Sequence, residues 1–359
     1  MVINYFGARR VGRVVRYSNV ARSKILLTSA FFAMSLIRNK NYRRRVLVIA
    51  HDAGGGEIIA AYVKKHRANV DFFVYVAGPA YDVFRREKIP CKRIGSSLEY
   101  IRYVVKKHKD VAYILLDTGG WSSIPLYAFQ VARRMGIMTC AYLDSWVLYR
   151  ERFGYPKRGW RNNLPDEIWV GDVQACILAR RYFPYSRVRY VSNQYFKNNI
   201  SYFRSKRGDK PARKIIFMSD ARFASESMLS MLLNVLSYSS EPSIVRIRLH
   251  PNDSSNRYDQ VIANTPTHVR VEISRKRDIV HDLLTAKLVI GMQTTALALA
   301  YLAGIKTMRL MGLREHSILP FRGIHKIWNV QGLTTALRKQ MPGFPTVDRK
   351  LPRDLQCAL

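Results

Sequence analysis

The strongest constraint on the fold of this chain is an alternation. Short apolar runs of four to seven residues are followed by stretches of helical period, from about residue 45 to about residue 340. Strands separated by helices of roughly ten residues predict βαβ units, which build parallel sheets covered by helices. In the first half, strands are expected at 45–50, 71–76, 111–116, 137–143 and 167–170, and helices at 57–66, 98–107, 124–135 and 173–182. Residues 195–213 break the rhythm. They are polar and basic, carry Gly208-Asp209-Lys210-Pro211, and read as a turn and linker. The alternation resumes with strands at 214–218, 244–249, 269–273, 286–290 and 306–310, and helices at 225–237, 278–285, 295–303 and 332–341. The expected organisation is a basic arm (1–44), a first α/β domain (45–200) and a second (213–345), a division that 359 residues accommodate.

Charge narrows the partners. Sixty Lys and Arg against 25 Asp and Glu leave a net +35, which implies a polyanionic neighbour: nucleic acid, an anionic leaflet or an acidic saccharide. Residues 1–50 contain no Asp or Glu, while eleven Arg or Lys precede Val46. Inside that arm the apolar stretch 25–37 is 13 residues long, short of the ~20 that span a bilayer. With Phe31, Phe32, Met34 and Leu36 between basic flanks, it fits a helix lying in the plane of a membrane surface. An ordinary packed helix is the alternative. The four cysteines show no C-x-x-C spacing, so neither zinc nor a disulfide framework is indicated and a reducing compartment is expected.

Polar residues gather where strands end. In an open α/β sheet that rim is where ligands sit. After the strand at 45–50 come His51, Asp52, Gly54, Gly55, Gly56 and Glu57, a glycine turn that lets another group approach the backbone at a helix N-terminus. It is neither G-x-G-x-x-G nor a Walker loop. Asp117, followed by Trp121, and Asp144, followed by Trp146, close two further strands. Each carboxylate can act as a general base or cap a helix, and an indole can serve as a sugar platform. Arg150 and Arg152 begin an aromatic-basic stretch suited to an acidic glycan, a lipid phosphate or a single-stranded nucleic acid, or to plain solvation.

In the second half, Ser219 follows the strand at 214–218, and His250-Pro251 follows that at 244–249. Thr294 and Thr295 follow Gly291 and open a small-residue helix. An imidazole, two hydroxyls and a helix N-terminus in one crevice suit a phosphate, most simply that of a nucleotide. Glu315, which follows the strand at 306–310, could reach a ribose.

With these motifs the chain resembles the GT-B glycosyltransferases, whose two Rossmann-like domains face each other across a cleft. The nearest likeness is to bacterial enzymes that use CMP-activated acidic sugars: sialyltransferases, polysialyltransferases and Kdo transferases of capsule and lipopolysaccharide assembly. The resemblance implies that His250, Thr294 and Thr295 hold the CMP phosphate, and that Asp52, Asp117 or Asp144 is the base. It implies no metal and no resident cofactor, and an acidic glycan or lipid-linked acceptor, met on the cytoplasmic face of the inner membrane. The chain departs from the family in lacking the acidic Asp/Glu-Asp/Glu-Gly motif, in whose place stand His51 and Asp52. The same two motifs also resemble polyol-phosphate transferases of teichoic acid assembly, so the resemblance leaves the donor open. A nucleotide-sugar 2-epimerase would carry a Gln-Glu-Glu segment where Gly291-Met292-Gln293-Thr294-Thr295 stands. A nucleic-acid-binding protein would show a helix-turn-helix, zinc or RRM signature, and none is present.

Overall fold

The computed structural model describes residues 43–340 apart from 120–121, 209–211, 221–224, 240, 252, 275–277 and 312–318. The arm at 1–42 with its apolar stretch 25–37, and the candidates Trp121 and Glu315, lie outside the described residues.

Two sheets organise the chain. The first contains β1 (Arg44–Ala50), β2 (Val70–Val76), β3 (Lys92–Arg93), β4 (Tyr113–Leu116), β5 (Thr139–Leu143), β6 (Glu167–Val170) and β7 (Arg187–Tyr190), in the order β3-β2-β1-β4-β5-β6-β7. The second contains β8 (Lys214–Met218), β9 (Ser243–Arg248), β10 (Val269–Ile273), β11 (Ala286–Gly291), β12 (Thr307–Leu310) and β13 (His325–Ile327), in the order β10-β9-β8-β11-β12-β13. The pairing is parallel, with Val46 opposite Tyr113 and Ile49 opposite Leu116 in the first sheet, and Ile290 opposite Phe217 in the second. Both sheets share one winding. The strand order reverses between β1 and β4, and again between β8 and β11. In such sheets the crevice at the reversal, outside the strands' carboxyl ends, is the binding position.

The central strands form because their runs are apolar on both faces. Val46 to Ala50 are fully buried, as expected of parallel strands covered on each side by helices. The edge strands β3, β7 and β13 carry too few apolar residues to have been expected from the pattern. The helix Gly78–Arg86 was likewise not anticipated.

One expectation is corrected. The helix Gln194–Lys206 occupies the segment read as a linker. Asn193 caps it by accepting a bond from Phe196 N–H, and Phe196, Ile200 and Phe203 have the i, i+4, i+7 spacing of a buried stripe, obscured by polar neighbours. This helix packs on the helix Ala53–His66 of the first half and on the helices Ile279–Leu283 and Thr295–Leu302 of the second. A single apolar cluster runs through both halves and includes Phe196 and Phe203. Among the described residues no helix is long and apolar enough to cross a membrane.

Candidate functional site

The two crevices open onto one cleft of about 430 Å³. Asp52, Gly54 and Glu57 after β1, Gly119 after β4, and Asp144, Leu148, Glu151 and Arg152 after β5 form one wall. Ser219 after β8, His250 and Pro251 after β9, and Gln293, Thr294 and Thr295 after β11 form the other. The volume falls in the range of small-ligand pockets, ~300–1,000 Å³.

The first wall is built around three carboxylates, each seated against a glycine. A Cβ on Gly55 would come 2.5 Å from the Asp117 Cβ, and one on Gly54 2.8 Å from Asp144 Oδ2. A Cβ on Gly119 would overlap the Asp52 carboxylate outright. The glycine turn therefore admits close approach, as its composition suggests, and the groups that approach are the protein's own acids. Asp117 is fully buried, and its Oδ2 accepts the backbone N–H groups of His51 and Asp52, both at 2.8 Å. Burial first, then the charges of Asp52 and Asp144, push its pKa up to about 7 against those two bonds. It braces the turn and does not line the cleft.

Asp144 lines the cleft but is paired. Arg152 Nη1 donates to its Oδ1 at 2.5 Å and to the Thr118 carbonyl at 3.0 Å, fixing the loop after β5. Asp52 also lines the cleft, and its Oδ1 accepts from His51 Nδ1 at 2.7 Å. That bond is the largest influence on His51 and raises its pKa despite partial burial. Glu57 is held by Arg86, whose Nη2 reaches both carboxylate oxygens at 2.6 Å. Burial raises the Glu57 pKa and Arg86 opposes the rise.

The second wall offers donors. His250 sits on a loop fixed from below: its N–H donates to Ser219 Oγ at 2.8 Å, and Ser219 Oγ donates to Asp253 Oδ2 at 2.6 Å. Tyr258 donates to the same Asp253 oxygen and Arg257 to the other. Burial works against the Asp253 charge, but these three donors outweigh it and hold the pKa below its usual value. Ser219 thus touches the cleft and also carries the His250 loop.

Thr294 caps the helix Thr295–Leu302 through Leu297 N–H at 3.2 Å, while Thr295 and Ala296 bring the first-turn amides to the cleft. Gly291 is needed where β11 meets β8, since a Cβ there would lie 2.9 Å from the Met218 Cβ. Gln293, which the sequence reading passed over, is only 4% exposed and lines the cleft, and its Oε1 has no hydrogen-bond partner. A buried amide oxygen left unpaired is costly, about 1–3 kcal/mol, and a ligand donor would relieve it. Its signal lay inside the motif as a polar residue between Met292 and the threonine pair.

Several expected site residues stand elsewhere. Trp146 is a core residue: its ring packs edge-on against Phe321 and its Nε1–H donates to Asp172 at 2.9 Å. It is no sugar platform. Arg150 turns away from the cleft, 4.3 Å from the Tyr155 ring centroid and 5.6 Å from that of Tyr182. His51, Gly55 and Gly56 stand behind the cleft surface. Among the described residues, no group of three or more His, Cys, Asp or Glu is arranged to hold a metal ion.

No family model and no curated relative matches the sequence. Solved structures do match the fold. A UDP-GlcNAc 2-epimerase from Neisseria meningitidis, bound to UDP-GlcNAc, is similar with a TM-score of 0.57 at 13% identity, over 82% of this chain and 91% of that one. Anabaena HepE in complex with UDP-glucose matches with a TM-score of 0.57 at 13% identity, covering 82% and 89%. A glycosyltransferase from Rickettsia africae matches with a TM-score of 0.53 at 10% identity, covering 83% and 88%. Identities this low establish the fold alone. The chain has the GT-B architecture: two parallel-sheet Rossmann-like halves with a cleft between their strand ends.

Proposed function

We propose that the cleft binds a nucleotide sugar and that the protein is a glycosyltransferase. The observation that carries this reading is the opposition of the two walls. One presents an oriented carboxylate, Asp52, and the other presents His250, Gln293, Thr295 and a helix N-terminus. The first can take a proton and the second can receive a phosphate. Complexes with UDP-glucose and UDP-GlcNAc among structures of the same fold support the ligand class.

Of the three carboxylates Asp52 is assigned as the base, because Asp117 braces the turn and Asp144 is neutralised by Arg152. Asp52 removes the acceptor hydroxyl proton as that oxygen attacks the anomeric carbon. The bond from that carbon to the donor phosphate breaks, and the nucleotide leaves with the electron pair. His250, Thr295 and the first-turn amides stabilise the charge gathering on the leaving phosphate, without a metal. His51 acts through Asp52 as a positioning residue.

For the donor we infer a CMP-linked acidic sugar of the sialic, nonulosonic or Kdo type, on the His-Pro and Thr-Thr motifs. For the acceptor we infer a cell-surface glycan or lipid-linked glycan, reached by a peripheral protein at the inner face of the cytoplasmic membrane. A 2-epimerase is the second reading, favoured by the epimerases of matching fold. Calorimetric titration with CMP, CDP, UMP, UDP and GDP, repeated with His250→Ala, tests the site. CMP binding that is lost in the variant supports the donor. UDP or GDP binding lost in the variant keeps the site and discards CMP. Binding of none overturns the proposal.

A further inference from the structure

We propose that the outer face of the helix Val173–Tyr182, together with the adjoining edge strand β7, docks the protein on an anionic lipid bilayer. The inference is independent of the chemistry in the cleft. Val173 is 67% exposed, Ile177 57%, Tyr182 43% and Tyr190 53%, while Tyr185 stands entirely in solvent. Val173 and Ile177 are four residues apart and neighbours on the helix surface, and Arg180 and Arg181 continue the same stripe. The helix otherwise buries Ala175, Cys176 and Ala179, so these two aliphatic side chains are the face turned away from the core. β7 is the last strand of its sheet and packs beside this helix.

The patch is predominantly basic, with the exposed Glu151 and the half-buried helix cap Asp172 at its borders. No Asp or Glu occurs between residues 173 and 190, and Arg180, Arg181, Arg187 and Arg189 are exposed. The carboxylate in contact with it, Glu167, is buried beneath, 3.1 Å from Arg187 and 3.7 Å from Arg189. Arg150 links Tyr182 to Tyr155 through its two ring contacts, and extends the patch toward the exposed Lys157, Arg158 and Arg161.

The composition selects the occupant. A second copy of the same face would meet like charge. A polyanion in solution has no use for Val173 and Ile177. A bilayer surface takes all three classes: aliphatics at the acyl boundary, tyrosines at headgroup level, and arginines on the phosphates. The patch also borders the cleft, because the loop that turns Arg150 toward the tyrosines presents Leu148 and Arg152 to the cleft. A bilayer held there would bring lipid-borne molecules to the wall that carries Asp52.

The test is sedimentation of the full chain with phosphatidylcholine vesicles, with and without phosphatidylglycerol, combined with hydrogen exchange of the bound protein. Two variants are compared, Val173→Ser with Ile177→Ser, and Arg180→Glu with Arg181→Glu, and their circular dichroism melts establish that they fold. The expected result is that amides of residues 173–190 slow on anionic vesicles and that each variant lowers the partition coefficient about tenfold or more, since one Arg near an anionic leaflet strengthens binding about fivefold. No slowing of those amides, or wild-type partitioning of both variants, overturns the proposal. Loss in the Arg pair alone also overturns it, in favour of a soluble polyanion such as RNA or an acidic glycan.

Discussion

Replacing Gly119 by Ala tests how the acidic wall is built. The new Cβ would lie 2.7 Å from the Asp52 Cβ and would overlap its Cγ and Oδ2. Non-bonded carbons need about 3.5 Å, so the carboxylate must swing away by about 2 Å and its bond to His51 Nδ1 is broken. A hydrogen bond to a charged group is worth about 1.5–3 kcal/mol. The substitution should therefore destabilise by about 2 kcal/mol and lower Tm by about 3 °C for a chain of this length. Replacing Asp52 by glycine removes the conflict, whereas alanine would keep the Cβ that lies 2.7 Å away. In an Asp52→Gly background the same change should cost less than about 0.5 kcal/mol, a coupling that a double-mutant cycle isolates. The pairing also sets a pH dependence. Asp52 raises the folded pKa of His51, so the stabilisation is complete below the unfolded value, about 6.5, and is lost as pH rises through the folded value. Thermal unfolding of the four proteins of the cycle, at about pH 6 and about pH 9, measures all of this, with the larger penalty expected in acid. If Gly119→Ala melts with the wild type, or loses as much without Asp52 as with it, the packing argument fails.

The remaining predictions concern both walls. Gln293→Leu removes a buried oxygen without a partner, so it should leave the free protein as stable or raise its Tm, while weakening nucleotide binding about tenfold in calorimetry; unchanged affinity would deny Gln293 a ligand. Thr294→Ala deletes a helix cap and should cost about 1 kcal/mol in denaturant unfolding, whereas Thr295→Val should cost nucleotide affinity and little stability. Asp117 has its pKa pushed up to about 7, so its contribution to stability falls as pH rises from about 4 toward 7. Asp117→Asn never ionises and should gain on the wild type over that window, and a pH-independent difference would contradict the burial argument. Trp146→Phe loses the bond to Asp172 and should lower Tm by several degrees with nucleotide binding intact; a selective binding loss would return Trp146 to the site.

Much of this was legible in the sequence because two periodic signals agree. Runs such as Val46 to Ala50 are too short and too uniformly apolar to be helices, and each is followed by helical spacing. Polar residues at the ends of such runs then fall on one rim, which is why Asp52, His250 and the threonine pair emerge together. Contacts across the rim were not legible. Nothing in the chain's pattern says that Arg152 answers Asp144, that Asp117 reaches back to the His51 and Asp52 amides, or that Ser219 carries the His250 loop through Asp253. Those pairings depend on how far each turn projects from its strand. Trp146 misled because an aromatic beside a rim acid looks exposed, whereas the chain bends there and drives the indole toward Phe321. The helix Gln194–Lys206 misled in the opposite sense, since three apolar anchors suffice when two domains share them.

Gly54, Gly55 and Gly119 are the space that Asp144, Asp117 and Asp52 occupy. Every replacement of a glycine introduces a Cβ, so these positions have no neutral substitution while their acids remain. Loss of the acid at 144 frees Gly54, whereas Gly55 and Gly119 also meet the Cβ atoms of Asp117 and Asp52 and are freed only by glycine there. Divergence at this wall should therefore proceed in pairs, with an alanine or serine at 54 accompanying the loss of an acid at 144, and a filled position 119 accompanying a glycine at 52. The edge strand β3, bound by no such reciprocity, is free to drift one residue at a time.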